Sequence, residues 1–214
     1  MLAFDVDGTL FSSESIIFQT YVQAIEEFAA KTGKITKLPS HEAIMAEIGK
    51  PVKTIFENLL PDLSPEEREG ISHRVLELLC DSIRNGGGDF YAGVGSTIHH
   101  LKEKGYTITC ASNGRRAYVE TVLETAGVLA YFEPILVVNQ EHILTKGDIV
   151  SEYLKKYQLS PESLVLIGDR YSDWEAARNN GCRFAFCSYG HANPGEIPDF
   201  DWEFADLFAL KEFF

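Results

Sequence analysis

Short apolar runs alternate with helical patterns from about residue 90 onward, which predicts parallel strands joined by crossover helices. The predicted strands are residues 106–111, 135–138, 164–168 and 183–187, with helices near 95–104, 115–126, 146–157 and 172–180. Residues 2–6 form one more apolar run, which stops at Gly8. The stretch that follows, from about residue 14 to 86, has helical periodicity only. Ile17, Tyr21, Ile25 and Phe28 repeat at helical spacing, and Ser64-Pro65-Glu66-Glu67 is a capping signal ahead of the stripe Ile71, Val75, Leu78 and Leu79. These stripes are core positions and need no functional reading.

Asn85-Gly86-Gly87-Gly88 closes the helical stretch with a turn-prone segment, and Glu14 opens it just after the first strand. The expected plan is α/β: a Rossmann-like parallel sheet core built from residues 1–13 and 89–214, interrupted after its first strand by a helical domain of residues 14–88. No internal repeat or low-complexity tract is visible. Residues 194–214 are rich in aromatics, with Trp202, Phe204, Phe208, Phe213 and Phe214, and are expected to pack on the core as a final strand or helix. A dimer contact there is the alternative use, so the expected state is a monomer or a homodimer.

At 214 residues and 45% hydrophobic content the chain can bury a substantial core. Its 32 acidic against 19 basic residues give a net charge of −13, which argues against nucleic-acid and membrane partners. The same excess would repel an anionic substrate, so a phosphate site here needs local cations, from a metal or from placed lysines. Cys80, Cys110, Cys182 and Cys187 show no zinc spacing and read as reduced, buried thiols. Asp5 and Asp7 interrupt any N-terminal signal-like run, and no apolar stretch is long enough to span a bilayer, so a cytoplasmic protein is expected.

In open parallel sheets, sites form outside the carboxyl ends of the strands. Four polar groups fall there or at a helix start: Asp5-Val6-Asp7-Gly8-Thr9, Ser112-Asn113-Gly114, Lys146, and Gly168-Asp169 with Asp173. Two aspartates one residue apart cannot face the same way along an extended strand, so the chain must bend, and Gly8 permits it. That arrangement aims Asp5 at a substrate and leaves Asp7 to deliver or accept a proton. Asp169 and Asp173 add charge that only a hard cation would tolerate, and oxygen-only ligands favour magnesium. Ser112 with nearby backbone N–H groups, Asn113 among them, and Lys146 would hold a phosphoryl group. Thr145 with Asp148 is a capping box that fixes the helix start bearing Lys146. Singly, each residue has an ordinary explanation as a turn, a cap or a solvated side chain; their order and shared placement carry the reading.

These residues resemble the haloacid dehalogenase superfamily, specifically members with a helical cap after the first strand. Asp5-Val6-Asp7-Gly8-Thr9-Leu10 is similar to the first family motif, Ser112 to the second, Lys146 to the third and Gly168-Asp169-Arg170-Tyr171-Ser172-Asp173 to the fourth. The resemblance implies a nucleophilic Asp5 that forms an acyl phosphate and binds Mg2+ through its other oxygen. It implies that Asp7 is the general acid and base and binds the metal through its carbonyl, that Asp169 is a direct ligand, and that Asp173 holds a metal-bound water. A small-molecule phosphatase, phosphoglycolate phosphatase-like, is the leading expectation. Asp7 disfavours dehalogenation, because the family's dehalogenases lack that acid.

A phosphomutase would use the same nucleophile, and a phosphonatase would need a lysine of the helical insert: Lys31, Lys34, Lys37, Lys50 or Lys53. A phospho-accepting scaffold is the non-enzymatic alternative. Gly49-Lys50-Pro51 is the candidate substrate-reaching loop, with a plain inter-helix turn as the competing reading; Arg115 and Arg116 face either substrate or solvent.

Overall fold

The computed structural model describes residues 1–34, 37–138 and 142–214. In chain order the elements are β1 (Leu2–Phe4), β2 (Phe11–Ser12), α1 (Glu14–Thr32), α2 (His41–Met45), α3 (Val52–Leu59), α4 (Pro65–Arg84) and β3 (Asp89–Phe90). They continue with α5 (Val94–Glu103), β4 (Ile108–Ser112), α6 (Arg116–Thr125), β5 (Phe132–Val137), α7 (Lys146–Tyr157), β6 (Val165–Gly168), α8 (Tyr171–Asn179), β7 (Arg183–Cys187), β8 (Trp202–Phe204) and α9 (Leu207–Phe213). The chain divides into two compact units, Met1–Ser12 with Phe90–Phe214, and Ser13–Asp89.

The larger unit is α/β. Its six-stranded sheet runs in the order β5-β4-β1-β6-β7-β8, with every neighbouring pair parallel. The chain starts at β1, builds outward through β4 and β5, then crosses to β6 and builds the other way. The carboxyl ends of β4, β1 and β6 therefore flank the point where the winding reverses, which is where such sheets bind ligands. Register sets them level: Phe4 pairs with both Cys110 and Ile167, so Asp5, Ser112 and Asp169 all emerge at one edge.

The central strands β1 and β6 carry only apolar residues and glycine, as the middle of a doubly covered parallel sheet requires. Ala3, Ala111, Leu166 and Phe184 are fully buried with Ile149, Val150 and Tyr153 of α7. The ladder between β4 and β5 slips between Ile108 and Cys110, beside Pro134, which has no N–H to give. The Tyr153 hydroxyl fills that gap: it donates to the Cys110 carbonyl at 2.6 Å, lies 3.1 Å from the Pro134 carbonyl and accepts from the Leu136 N–H at 3.2 Å. Tyr153→Phe is expected to cost about 1–3 kcal/mol, because buried backbone groups lose their partner. Denaturant unfolding would measure it, and a loss near zero would mean the ladder closes without the hydroxyl.

β5 is an edge strand. Its Glu133 and Ile135 carbonyls on the open side accept from the Tyr157 hydroxyl and the Arg116 guanidinium, respectively. At the far edge, Trp202 and Phe204 of β8 meet Phe213 and Phe214. The C-terminal segment thus supplies both a strand and a helix where one or the other was expected.

Strand boundaries differ from the sequence reading at β1, β4, β5 and β6, and the differences at β1 and β5 have physical reasons. The first strand ends at Phe4 rather than Val6, because the Val6 carbonyl accepts from Thr9, Leu10 and Phe11 and closes a compact loop in place of a ladder. β5 begins at Phe132 rather than Ile135. Pro134 suggests a break, yet it sits at the irregularity of the β4–β5 ladder, where a missing N–H is tolerated.

The smaller unit, Ser13–Asp89, is helical: α1 packs on α4 and on α2, and α3 packs on α4. Ser64 and Glu67 form the expected capping box at the start of α4, with reciprocal bonds of 3.3 and 3.1 Å. Tyr21 of α1 stacks on Phe56 of α3 at a centroid distance of 5.3 Å. Glu27 of α1 takes a two-pronged ion pair from Arg74 of α4. Among the described residues no helix is long and apolar enough to cross a membrane. All four cysteines are free and buried, and burial pushes the Cys110 thiol up to about 12.

Candidate active site

The loop after β1 delivers Asp5 and Asp7 differently. Asp5 still donates its N–H to the Ile167 carbonyl at 2.8 Å, so its side chain leaves from the end of the sheet and is 4% exposed. Beyond it the chain turns on Gly8, whose φ of +82° is left-handed. A Cβ at Gly8 would overlap the Asp169 carboxylate, so close approach as well as backbone shape demands glycine there. Asp7 is half-buried and bridges to Phe11.

Lys146 is the first residue of α7 and is placed by the capping box predicted for it. Thr145 Oγ1 accepts from the Asp148 N–H at 3.2 Å, and Asp148 Oδ2 accepts from the Thr145 N–H at 2.8 Å. The ammonium, 4% exposed, pairs with Asp5 Oδ2 at 2.8 Å and Asp173 Oδ1 at 2.6 Å. The other Asp173 oxygen accepts from the Arg170 N–H at 3.1 Å at the start of α8. Asp5, Asp169 and Asp173 form one cluster, each offering a carboxylate oxygen within 4.8 Å of the others.

Burial is the chief cause of the unusual acidity here. It pushes Asp5 up to about 6, against the pull of Lys146. It pushes Asp169 to about 6, helped by Asp173, and Asp173 to about 6, helped by Asp5. For Lys146, burial disfavours the charge, but Asp173 and Asp5 more than offset this and hold the ammonium above its usual value. At neutral pH three buried carboxylates therefore face one ammonium. An all-oxygen donor set with uncompensated negative charge fits a hard divalent cation.

The structure gathers Asp5, Lys146, Asp169 and Asp173 directly, and sets Ser112 and Asn113 on the same sheet edge, 3% and 7% exposed. Ser112 Oγ accepts from the Gly114 N–H at 3.0 Å, which shapes the turn into α6. The Asp7 side chain is not one of the three clustered carboxylates. Arg116 is turned to Ile135 and Glu120, along the β5 edge. Lys50 lies in the helical unit, in the turn between α2 and α3, where its ammonium is 2.8 Å from Glu47.

Sequence reasoning missed a set of contacts around Asp169, from Thr9 and from the turn after β7. The His191 N–H donates to Asp169 Oδ2 at 2.7 Å, Thr9 Oγ1 donates to Asp169 Oδ1 at 3.2 Å, and the Tyr189 hydroxyl donates to the Thr9 carbonyl at 2.8 Å. A Cβ on Gly190 would strike both Asp169 and the Gly8 carbonyl. A glycine just beyond the apolar run 183–187 was the one available signal.

The sequence model described as haloacid dehalogenase-like hydrolase matches residues 2–187. Phosphoglycolate phosphatase of Vibrio vulnificus is 26% identical over 203 residues, covering 92% of this chain and 86% of its own length. Pyrophosphatase PpaX of Anoxybacillus flavithermus is 22% identical over 188 residues, 86% of this chain and 81% of that protein. Among solved structures, one described as a predicted phosphoglycolate phosphatase from Haemophilus somnus superposes with a TM-score of 0.84 at 20% identity, over 100% of this chain and 96% of that one. CbbY from Rhodobacter sphaeroides, in complex with phosphate, gives 0.76 at 20% identity over 96% and 93%. Likeness at that identity speaks for the fold alone. With the family match spanning nearly the whole chain, this protein belongs to the haloacid dehalogenase-like hydrolases and is an enzyme of phosphatase type.

Proposed function

We propose that the chain is a magnesium-dependent phosphatase that hydrolyses a small-molecule phosphate monoester through an aspartyl phosphate on Asp5. The observation that carries this reading is the buried cluster in which Lys146 ties Asp5 to Asp173 beside Asp169. Lys146 keeps the Asp5 carboxylate oriented and partly neutralised, which a nucleophile approaching a phosphate dianion needs. Ser112, the Asn113 backbone and Lys146 hold the phosphoryl oxygens. Asp7, released from the sheet by the Gly8 turn, protonates the leaving alcohol and then takes a proton from the water that hydrolyses the acyl phosphate. Asp5, the Asp7 carbonyl, Asp169 and Asp173 would hold the magnesium. When bound, it supplies charge neutralisation of carboxylate and phosphate.

On this reading residues 14–88 are the family's cap domain, and Lys50, whose ammonium is 2.8 Å from Glu47, is its candidate cation for an anionic substrate. Phosphoglycolate heads the substrate panel because curated relatives carry that name. The net charge of −13 favours a small substrate over nucleic acid, and four buried free thiols suit the cytoplasm.

The test is phosphate release from an aryl phosphate. Turnover should require magnesium, vanish with a chelator and return when the metal is restored, and the phosphoenzyme should decay within seconds. Chelator-resistant turnover, or a phosphoenzyme stable for many minutes, would reject this function.

A further inference from the structure

Glu196 lies outside every motif above and touches none of the reacting groups, yet it makes four hydrogen bonds with one carboxylate. Its Oε1 accepts from Arg170 Nε at 2.8 Å and from the Tyr171 N–H at 2.9 Å. Its Oε2 accepts from the Asn193 N–H at 3.0 Å and from Asn193 Nδ2 at 3.2 Å. The side chain is 14% exposed, and although burial opposes ionisation, these donors hold the carboxyl below its usual range, so it is charged at neutral pH.

The partners matter more than their number. Arg170 and Tyr171 directly follow Asp169, whereas Asn193 belongs to the segment whose His191 N–H donates to Asp169 Oδ2. Glu196 therefore joins the two pieces of chain that meet at the Asp169 carboxylate. Gly190, between Tyr189 and His191, admits the close approach that lets this backbone amide reach the carboxylate.

We propose that Glu196 is a positioning residue for the metal site: it pins residues 191–193 against the start of α8 so that the His191 N–H fixes the Asp169 carboxylate in its ligating orientation. The inference rests on the metal-dependent reading above. Outer partners that orient a metal ligand typically contribute about 10–100-fold to metal affinity. Without the Glu196 carboxylate, His191–Asn193 gains freedom and Asp169 must be ordered by the metal itself.

The experiment is a magnesium titration of full-length protein, followed by melting temperature and separately by activity, for wild type, Glu196→Gln and Glu196→Ala. Glutamine keeps the shape and some acceptor capacity, so it tests positioning even if alanine folds poorly. Asp199→Asn serves as the control, because Asp199 accepts from Trp174 and Arg178 of the same helix without linking to Asp169. The expected result is a magnesium midpoint raised about tenfold or more in Glu196→Ala and several-fold in Glu196→Gln, with kcat at saturating magnesium within about threefold of wild type. Asp199→Asn should leave the midpoint unchanged. Glu196 variants with a wild-type midpoint, or a midpoint raised equally by Asp199→Asn, overturn the positioning role. A wild type indifferent to magnesium overturns this inference and the metal-dependent reading together.

Discussion

Replacing Lys146 by methionine is expected to destabilise the metal-free protein by about 3–5 kcal/mol near neutral pH, the usual cost of leaving buried charge without its partner. Methionine keeps the apolar stem and removes the ammonium that sits 2.8 Å from Asp5 and 2.6 Å from Asp173. The deficit should depend on pH in a definite sense. Asp5, Asp169 and Asp173 already have folded-state values near 6, above the ordinary 3.8, and losing the cation moves Asp5 and Asp173 higher still. A carboxyl whose pKa is raised on folding helps stability at pH below its unfolded value, and loses that contribution as pH rises through its folded value. The variant should therefore lie close to wild type at about pH 4, where the carboxyls are protonated, and fall away as the pH climbs past about 6. Magnesium should recover part of the loss and none of the turnover. Urea midpoints across that range decide it; a small, pH-independent deficit would mean the carboxylates do not depend on Lys146.

Asp5→Asn should separate stability from chemistry. Turnover should fall by on the order of 10⁴–10⁶, as expected when the nucleophile itself is removed. The metal-free melting temperature near neutral pH should instead rise, because amide replaces a buried carboxylate that burial and Asp169 both disfavour. Calorimetry alongside the aryl phosphate assay would check both. Turnover within tenfold of wild type would remove Asp5 as nucleophile, and a lower melting temperature would mean that the Lys146 bond outweighs the cost of burying Asp5.

Much of this could be read from residues because its causes are local. Strand and helix periodicity, the Ser64–Glu67 and Thr145–Asp148 capping boxes and the Gly8 bend each depend on neighbours within a few positions. Asp5, Lys146, Asp169 and Asp173 were legible as a group because a parallel sheet brings strand ends and helix starts together. What escaped has a different origin. The bond from His191 to Asp169 uses a backbone N–H, which every residue except proline carries, so side-chain identity could not announce it. Tyr189 reaches Thr9 across 180 positions, and Glu196 ties its near neighbour Asn193 to Arg170, 26 positions away, a link that no short pattern announces. The early end of β1 was hidden for a related reason: Val6 is as apolar as a strand residue, but its carbonyl is drawn into the loop.

The edges of the sheet carry a consequence for the protein in a crowded solution. An exposed strand edge is a template on which another extended chain can build, and growth of that kind leads to fibres. On the β5 side, the Glu133 and Ile135 carbonyls that an incoming strand would need already accept from Tyr157 and Arg116. An incoming strand at the β5 edge would therefore have to displace Tyr157 and Arg116 to reach those two carbonyls.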